Sequence, residues 1–241
     1  VYVKDNVQRT RVESQAMSEE NSQHLRRQRR ERSSVSTDEI LQASEVVARG
    51  GFDALTMRAV ATQMGASPMA LYRYFATKDE LVDAMLDRVL GRIELKDATD
   101  DWLADLAGFA TAHRAVLADH PWAIVPLFTH SNPGINATII GEAALGILER
   151  GRVAGGEAVA IFCGILALNY GWFAFTAARD TTRMNVEPEA VLATALSMLP
   201  ADHFPLTLSV ADQLSNYGSD AHYAFALQAL IDGVGATAQP K

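Results

Sequence analysis

Apolar positions along the chain recur every three or four residues from Ile40 to Val234, the period of helices that bury one face. Ile40, Ala43 and Val47 mark the first such face. The spacing predicts a helix capped by Thr37, with Asp38 and Glu39 in its positive first turn and Gly50 and Gly51 as its stop. A second helix is expected from a Thr56 cap, with Val60, Ala61 and Met64 inward and Gly65 at its end. The turn Gly65-Ala66-Ser67 leads into a third, capped by Ser67, with Pro68 at the first helical position, where a missing N–H costs nothing. Thr77 and Glu80 form a capping-box pattern for a fourth, with Leu81, Met85 and Val89 four apart. Further helices are expected at residues 101–119, 122–129, 134–152, 157–179, 188–199 and 220–234, punctuated by Pro121, Pro133 and Pro188, with residues 200–219 as a long loop. No stretch alternates with period two. The expected fold is all-α in three units: a flexible arm at 1–35, a helix-turn-helix unit with its linker helix at 36–95, and a second helical unit at 96–241.

The third predicted helix lies in "GASPMALYRYF", residues 65–75, and its two faces differ in kind. Leu71 and Phe75 point one way, Met69, Tyr72 and Arg73 the other. A face that only kept the chain soluble would carry Lys and Glu. Two helices joined by a three-residue turn with a Gly, the second presenting polar and aromatic groups, make a helix-turn-helix, whose second helix enters the major groove by its N-terminal end. On that reading Ser67, Met69, Ala70 and Arg73 lie toward base edges, with Arg73 able to donate to guanine. Tyr72, Tyr74 and Lys78 reach phosphates, and Thr56 and Arg58 anchor the opposite strand. Upstream, "HLRRQRRERSS" concentrates Arg26, Arg27, Arg29, Arg30 and Arg32 in a polar segment without periodicity. These arginines are expected to lie along phosphates or in a narrow minor groove. Met17 could serve as a start, which would make residues 1–16 an upstream extension.

Residues 55–81, "LTMRAVATQMGASPMALYRYFATKDEL", resemble the DNA-binding domain of the tetracycline-repressor (TetR) family of bacterial regulators. That pattern runs T-x-R-x-x-A-x-x-x-G, then L-Y-x-H/Y-F, then K-x-x-L. Thr56, Arg58, Ala61, Gly65, Leu71, Tyr72, Tyr74, Phe75, Lys78 and Leu81 all fall on it. The resemblance implies phosphate contacts from Tyr72, Tyr74 and Lys78, with Met69, Ala70 and Arg73 at positions that vary with operator sequence. Residues 100–235 resemble the family's C-terminal domain more weakly, chiefly through "YAFALQALIDGV". This implies a domain that binds a small effector and pairs with a second copy, with Leu227, Leu230 and Val234 at the pairing surface.

Composition narrows this picture without changing it. With 241 residues, 49% hydrophobic, the chain can bury a sizeable core, and a net charge of -8 argues against a protein that coats nucleic acid over its whole surface. The single Cys163 permits no intrachain disulfide and sits in an apolar run that places it in the core; with no secretory signal pattern, the expected compartment is the cytoplasm. There is no G-x-S-x-G elbow, phosphate-binding glycine loop or H-E-x-x-H, and His113, His120 and His130 are irregularly spaced. No enzyme, metal or cofactor is expected.

Residues 158–178 carry no charge and are long enough to cross a bilayer. Asn169 near the middle, the Gly and Ala content and the lack of a basic cluster at either end favour a buried helix. Ala160, Gly164, Ala167, Gly171 and Ala174 form a stripe of small residues suited to pairing with a twin. Phe162, Leu166, Asn169 and Phe173 lie opposite, and a buried Asn169 requires a partner from protein or ligand. With Phe109, His113, Trp122, Phe128 and His130 they make an aromatic set suited to an amphipathic ring compound. The expected partners are palindromic operator DNA, a small effector and a second copy, with no membrane. A membrane-anchored helix-turn-helix regulator is the alternative, and an α-helical small-molecule enzyme a more distant one.

Overall fold

The computed structural model describes residues 35–130, 134–181 and 188–238, and every regular element among them is helical. Helix α1 spans Thr37–Ala48. Its cap is Ser36, one residue before the expected Thr37. The Ser36 hydroxyl accepts from Glu39 N at 3.2 Å while the Glu39 carboxylate accepts from Ser36 N at 2.8 Å, a reciprocal box that Glu39 can close only with the residue three before it. The backbone N–H of Ser36 holds the Glu39 carboxyl below its ordinary pKa. Helix α2, Met57–Gln63, starts from the Thr56 hydroxyl, which accepts from Ala59 N at 3.0 Å. It ends in Gly65 at φ 63°, with Ala66 N bonded to Ala61 O and Gly65 N to Thr62 O. That left-handed turn suits glycine and sets the angle of the next helix.

Helix α3, Pro68–Leu71, is a single turn, and Ser67 occupies its cap position without a side-chain bond. Helix α4, Lys78–Leu90, is capped by Thr77, whose hydroxyl accepts from Glu80 N at 3.1 Å; the Glu80 carboxylate reaches back to Ala76 N rather than Thr77 N. Ile40, Leu55, Val60, Leu71, Leu81 and Met85 are fully buried and hold α1–α4 together.

The second unit comprises α5 (Trp102–Asp119), α6 (Ile124–Leu127), α7 (Ile135–Arg150), α8 (Gly155–Thr181), α9 (Pro188–Ser197), α10 (Pro205–Ser209), α11 (Ala211–Ser215) and α12 (Asp220–Thr237). The helix expected at 122–129 is a 3-10 turn, Pro121–Ala123, followed by the short α6, because Pro121 and Pro126 each remove a backbone donor. The loop expected at 200–219 holds α10 and α11; Pro205 occupies the first position of α10, where proline starts a helix.

Helix α5 lies centrally, packed on α7, α8 and α12, with Leu106, Ala110 and Leu117 buried. From α12, Tyr223, Leu227, Ile231 and Val234 point inward. Among the described residues, only one side of α8 is covered. Its apolar stretch Gly155–Thr176 is long enough to cross a membrane, and 17% of its most apolar window is buried within the chain. Ile165 and Asn169 face inward, whereas Ala160, Ala167, Gly171 and Ala174 are exposed and Gly164 is half-buried. Cys163, expected in the core, is exposed on this outer side, since at 3.6 residues per turn it falls with Ala160 and Ala167.

Candidate functional site

Burial of Leu71 and Phe75 anchors α3 and turns its other face outward. Met69 is 73% exposed, Tyr72 46% and Tyr74 40%, with Ser67 and Arg73 also exposed and Ala70 half-buried. Large apolar and aromatic groups displayed together mark an interaction surface rather than a solvated face. Thr56 and Arg58, exposed at the start of α2, sit on the helix that packs against α3. Lys78 is half-buried, its Nζ 4.7 Å above the Phe52 ring, so that a cation–π contact holds the ammonium at the start of α4. Arg26, Arg27, Arg29, Arg30 and Arg32 lie outside the described residues.

Helix α4 is tied to both units. Toward α1, the buried Glu45 carboxylate accepts two bonds from Arg92 at 2.8 Å and pairs with Arg88 Nε at 3.3 Å, while Arg88 also pairs with Asp38 at 2.9 Å. Toward the second unit, Asp83 pairs with His130, and Asp87 caps a helix that is not its own. One Asp87 oxygen accepts from Asn136 N at 2.7 Å and Ala137 N at 3.3 Å, and the other from Asn136 Nδ2 at 2.8 Å. Gly134, the cap position of α7, offers no side chain, and a Cβ there would lie 2.5 Å from Asp87 Cγ. The first turn of α7 therefore takes its anion from α4.

A cavity of about 540 Å³ opens between α4, α5, α7 and α8. It is lined by Leu90, Leu127, the α7 segment from Ala137 to Leu145, and Phe162, Leu166 and Tyr170, with His113 in its wall and His130 at its α4 side. Behind it lies a closed polar network. Asn169 Nδ2 donates to Ala110 O and to His113 Nδ1, both at 2.9 Å, and Asn169 Oδ1 accepts from the Tyr223 hydroxyl at 2.6 Å. Accepting at Nδ1 puts the His113 proton on Nε2, which is buried and has no partner. Burial lowers the His113 pKa to about 4, so its imidazole is neutral near pH 7. Burial likewise pushes the Tyr170 and Tyr223 phenols up to about 12. Leaving the His113 Nε2–H unmet costs about 1 to 3 kcal/mol.

Of the residues expected around an effector, His113, His130, Phe162 and Leu166 thus meet at one cavity. Asn169 stands behind the wall with every polar atom satisfied by protein. Trp122 is buried in the core, Phe128 is 60% exposed with its ring edge-on to Tyr170, and Phe173 lies under the Arg114 guanidinium. Phe109, stacked on His113, lines a separate cavity of about 470 Å³ beneath residues 94–99, beside the Asp105–Arg150 ion pair. Tyr170, Leu127 and the α7 residues were not legible, since nothing in their local spacing distinguishes a cavity wall from core. Leu227 and Val234 are buried in their own chain and Leu230 half so, while Phe225 on the outer side of α12 is 77% exposed.

Against this geometry the comparisons with known proteins agree. The family model described as "Bacterial regulatory proteins, tetR family" matches residues 40–85, and "Tetracyclin repressor-like, C-terminal domain" matches residues 96–238. The chain belongs to the TetR family. It is 31% identical over 218 residues to an HTH-type transcriptional regulator of Saccharopolyspora erythraea, covering 88% of this chain and 89% of that one. It is 27% identical to the HTH-type transcriptional repressor DrrR1 of Streptomyces coeruleorubidus, covering 83% and 77%. In fold it is similar to the TetR-family protein ActR of Streptomyces coelicolor in complex with actinorhodin, with a TM-score of 0.77, 22% identity and coverage of 86% and 99%. As a TetR-family member the chain is a helix-turn-helix transcriptional regulator, with α2 and α3 as the helix-turn-helix and α5–α12 as the tetracycline-repressor-like domain.

Proposed function

We propose that the protein is a homodimeric repressor that holds a palindromic operator through the Ser67–Tyr74 surface of each copy and releases it when a small molecule fills the 540 Å³ cavity. The observation that carries this reading is the Asp87 cap: the cavity is lined by the first turns of α7, and those turns are tied to α4, the helix that directly follows the Ser67–Tyr74 surface. A ligand pressing on Ala137, Thr138 or Gly141 displaces α7, and with it α4 and α3. Only a ligand that prefers the displaced state can release DNA, and operator DNA must then weaken ligand binding by the same factor. The 470 Å³ cavity fits less well, because no unmet buried donor and no residue of α4 lines it.

A second copy is the partner that best suits the outer side of α8. Its small residues present shallow grooves into which a like helix packs closely, and Phe225 of α12 supplies a large apolar anchor beside it. A cytoplasmic location and the absence of catalysis follow from the same reading. Support for an effector also comes from relatives of this fold solved with small molecules, ActR with actinorhodin and a TetR variant of Acinetobacter baumannii with minocycline. Selection from a random duplex library tests the DNA half. It should return a two-fold symmetric sequence with half-sites about one helical turn apart, and an unsymmetric or featureless pool would refute a dimeric operator reader.

A further inference from the structure

The linker that leaves α4 spans a hollow instead of packing on the helices beneath it. Ile93 is buried at its start, and Thr99 is clamped at its end. Asp105 accepts from Thr99 N at 2.9 Å and from the Thr99 hydroxyl at 2.8 Å, while Arg150 donates to Thr99 O at 2.7 Å and to Asp105 at 2.5 Å. Between these fastenings residues 94–98 are exposed and roof the cavity of about 470 Å³. Its walls are α5 from Ala104 through Gly108 to Ala112 and α7 from Ala143 through Gly146 to Arg150, so a glycine stands at the middle of each facing stripe. Neither glycine has the positive φ of a turn, and a Cβ on either would meet nothing within 4 Å. One on Gly91, Gly134, Gly151 or Gly235 would lie 2.5 to 2.9 Å from another side chain. Glycine weakens a helix interior, and at 108 and 146 only the hollow between the helices gains from it.

We infer that this hollow is a second small-molecule site, separate from the 540 Å³ cavity, and that it takes an uncharged hydrophobic compound. Phe109 and Ile147 supply apolar surface at its base. Phe109 stacks on His113 of the other cavity, with centroids 6.3 Å apart, and so stands between the two sites. The charged side chains at the Thr99 end are spent on each other and on the linker, which leaves a charge on the ligand without a partner there. An anion would in addition lie near Asp105 and under a roof that carries Glu94 and Asp97 against the single Lys96.

Equilibrium dialysis with N-phenyl-1-naphthylamine, a neutral hydrophobic probe, tests the site. Gly141→Phe puts a ring into the larger cavity, and the folded variant should still bind the probe at one site per chain. Adding Gly108→Leu and Gly146→Leu should weaken that binding about tenfold or more. The same pair should raise the thermal midpoint, because both side chains enter open space and replace glycines inside helices. 8-Anilinonaphthalene-1-sulfonate has the same rings and a negative charge, and should bind the Gly141→Phe protein about tenfold more weakly than the neutral probe. No neutral probe on folded Gly141→Phe protein, or unchanged affinity in the triple variant, would overturn the site; equal affinities for the two probes would overturn its ligand class. Leu95→Cys in the otherwise unaltered chain gives a reading that depends on none of these substitutions. Leu95 lines the hollow from the roof and is 40% exposed. Saturating neutral probe should slow alkylation of the new cysteine by iodoacetamide about fivefold or more, while Cys163, exposed on α8, reacts as before. Slowing at both cysteines or at neither would refute the site.

Discussion

Asn169 illustrates how much one side chain can hold. Its amide joins α5, α8 and α12 through Ala110, His113 and Tyr223, so Asn169→Leu strands His113 Nδ1 and the Tyr223 hydroxyl, while the Ala110 carbonyl keeps its helix bond. The expected cost is roughly 3 to 5 kcal/mol, read as a lowered urea midpoint. His113 adds a pH dependence with a definite sign. Its folded pKa of about 4 lies below an unfolded value near 6.5, so the unfolded chain binds the extra proton in between. Stability from this group is complete above pH 6.5 and is lost as pH falls toward 4, by about 2 kcal/mol at pH 5. The difference in unfolding free energy between pH 7.5 and pH 5 should be smaller by about that amount in His113→Asn. On the DNA surface, Arg73→Ala should relax preference at one base pair by about 1 to 3 kcal/mol, whereas Lys78→Ala should weaken operator and random DNA alike and reduce the salt slope by about one. Fluorescence anisotropy on both duplexes over a salt series separates the two.

Among elements, α4 joins the two helical units. Arg88, and Arg92 just past its end, bind it to Glu45 of α1, and Asp83 and Asp87 bind it to His130 and the start of α7. The rigid side carries the helix-turn-helix; the α7 side is where movement would enter. Asp87→Ala removes the borrowed cap and should cost about 1 kcal/mol of stability. Its larger effect is expected on coupling, with the affinity of a cavity ligand becoming the same with and without operator DNA while the binding of each alone persists. Dialysis in the presence and absence of the selected duplex measures this, and a retained difference would place the coupling elsewhere. Gly134→Ala should act in the same direction, because its Cβ would collide with the Asp87 carboxyl.

For the whole molecule, the uncovered side of α8 is the decisive feature. On the proposed dimer, this apolar face and its stripe of small residues are covered by the same helix of the second copy. Gly171→Glu, placed where an added side chain meets nothing in its own chain, should leave the fold intact and yield a monomer in sedimentation velocity. Operator affinity should then fall about a hundredfold or more, since two half-sites would no longer be bound by one linked pair of reading heads. A variant that remains dimeric would move the interface away from this stripe.

By itself the sequence determined the helical class, most helix positions and which face of α3 stays exposed. Each of these is encoded within a few residues: a period of three to four, a Ser or Thr cap, a glycine with positive φ, and a run whose two faces differ in kind. Local chemistry also misled where neighbouring signals competed, as with Ser36 against Thr37 and with the prolines of residues 121–126 and 205. Only tertiary structure decided the rest. Asp87 and Asn136 are 49 residues apart and Asn169 and Tyr223 are 54 apart, so no window along the chain could pair them. Whether Asn169 served a ligand or the core, and whether Cys163 lay in or out, depended on which side of α8 its neighbours cover. A cavity is a space left between helices after they pack, and its walls carry the same residues as the core beside it.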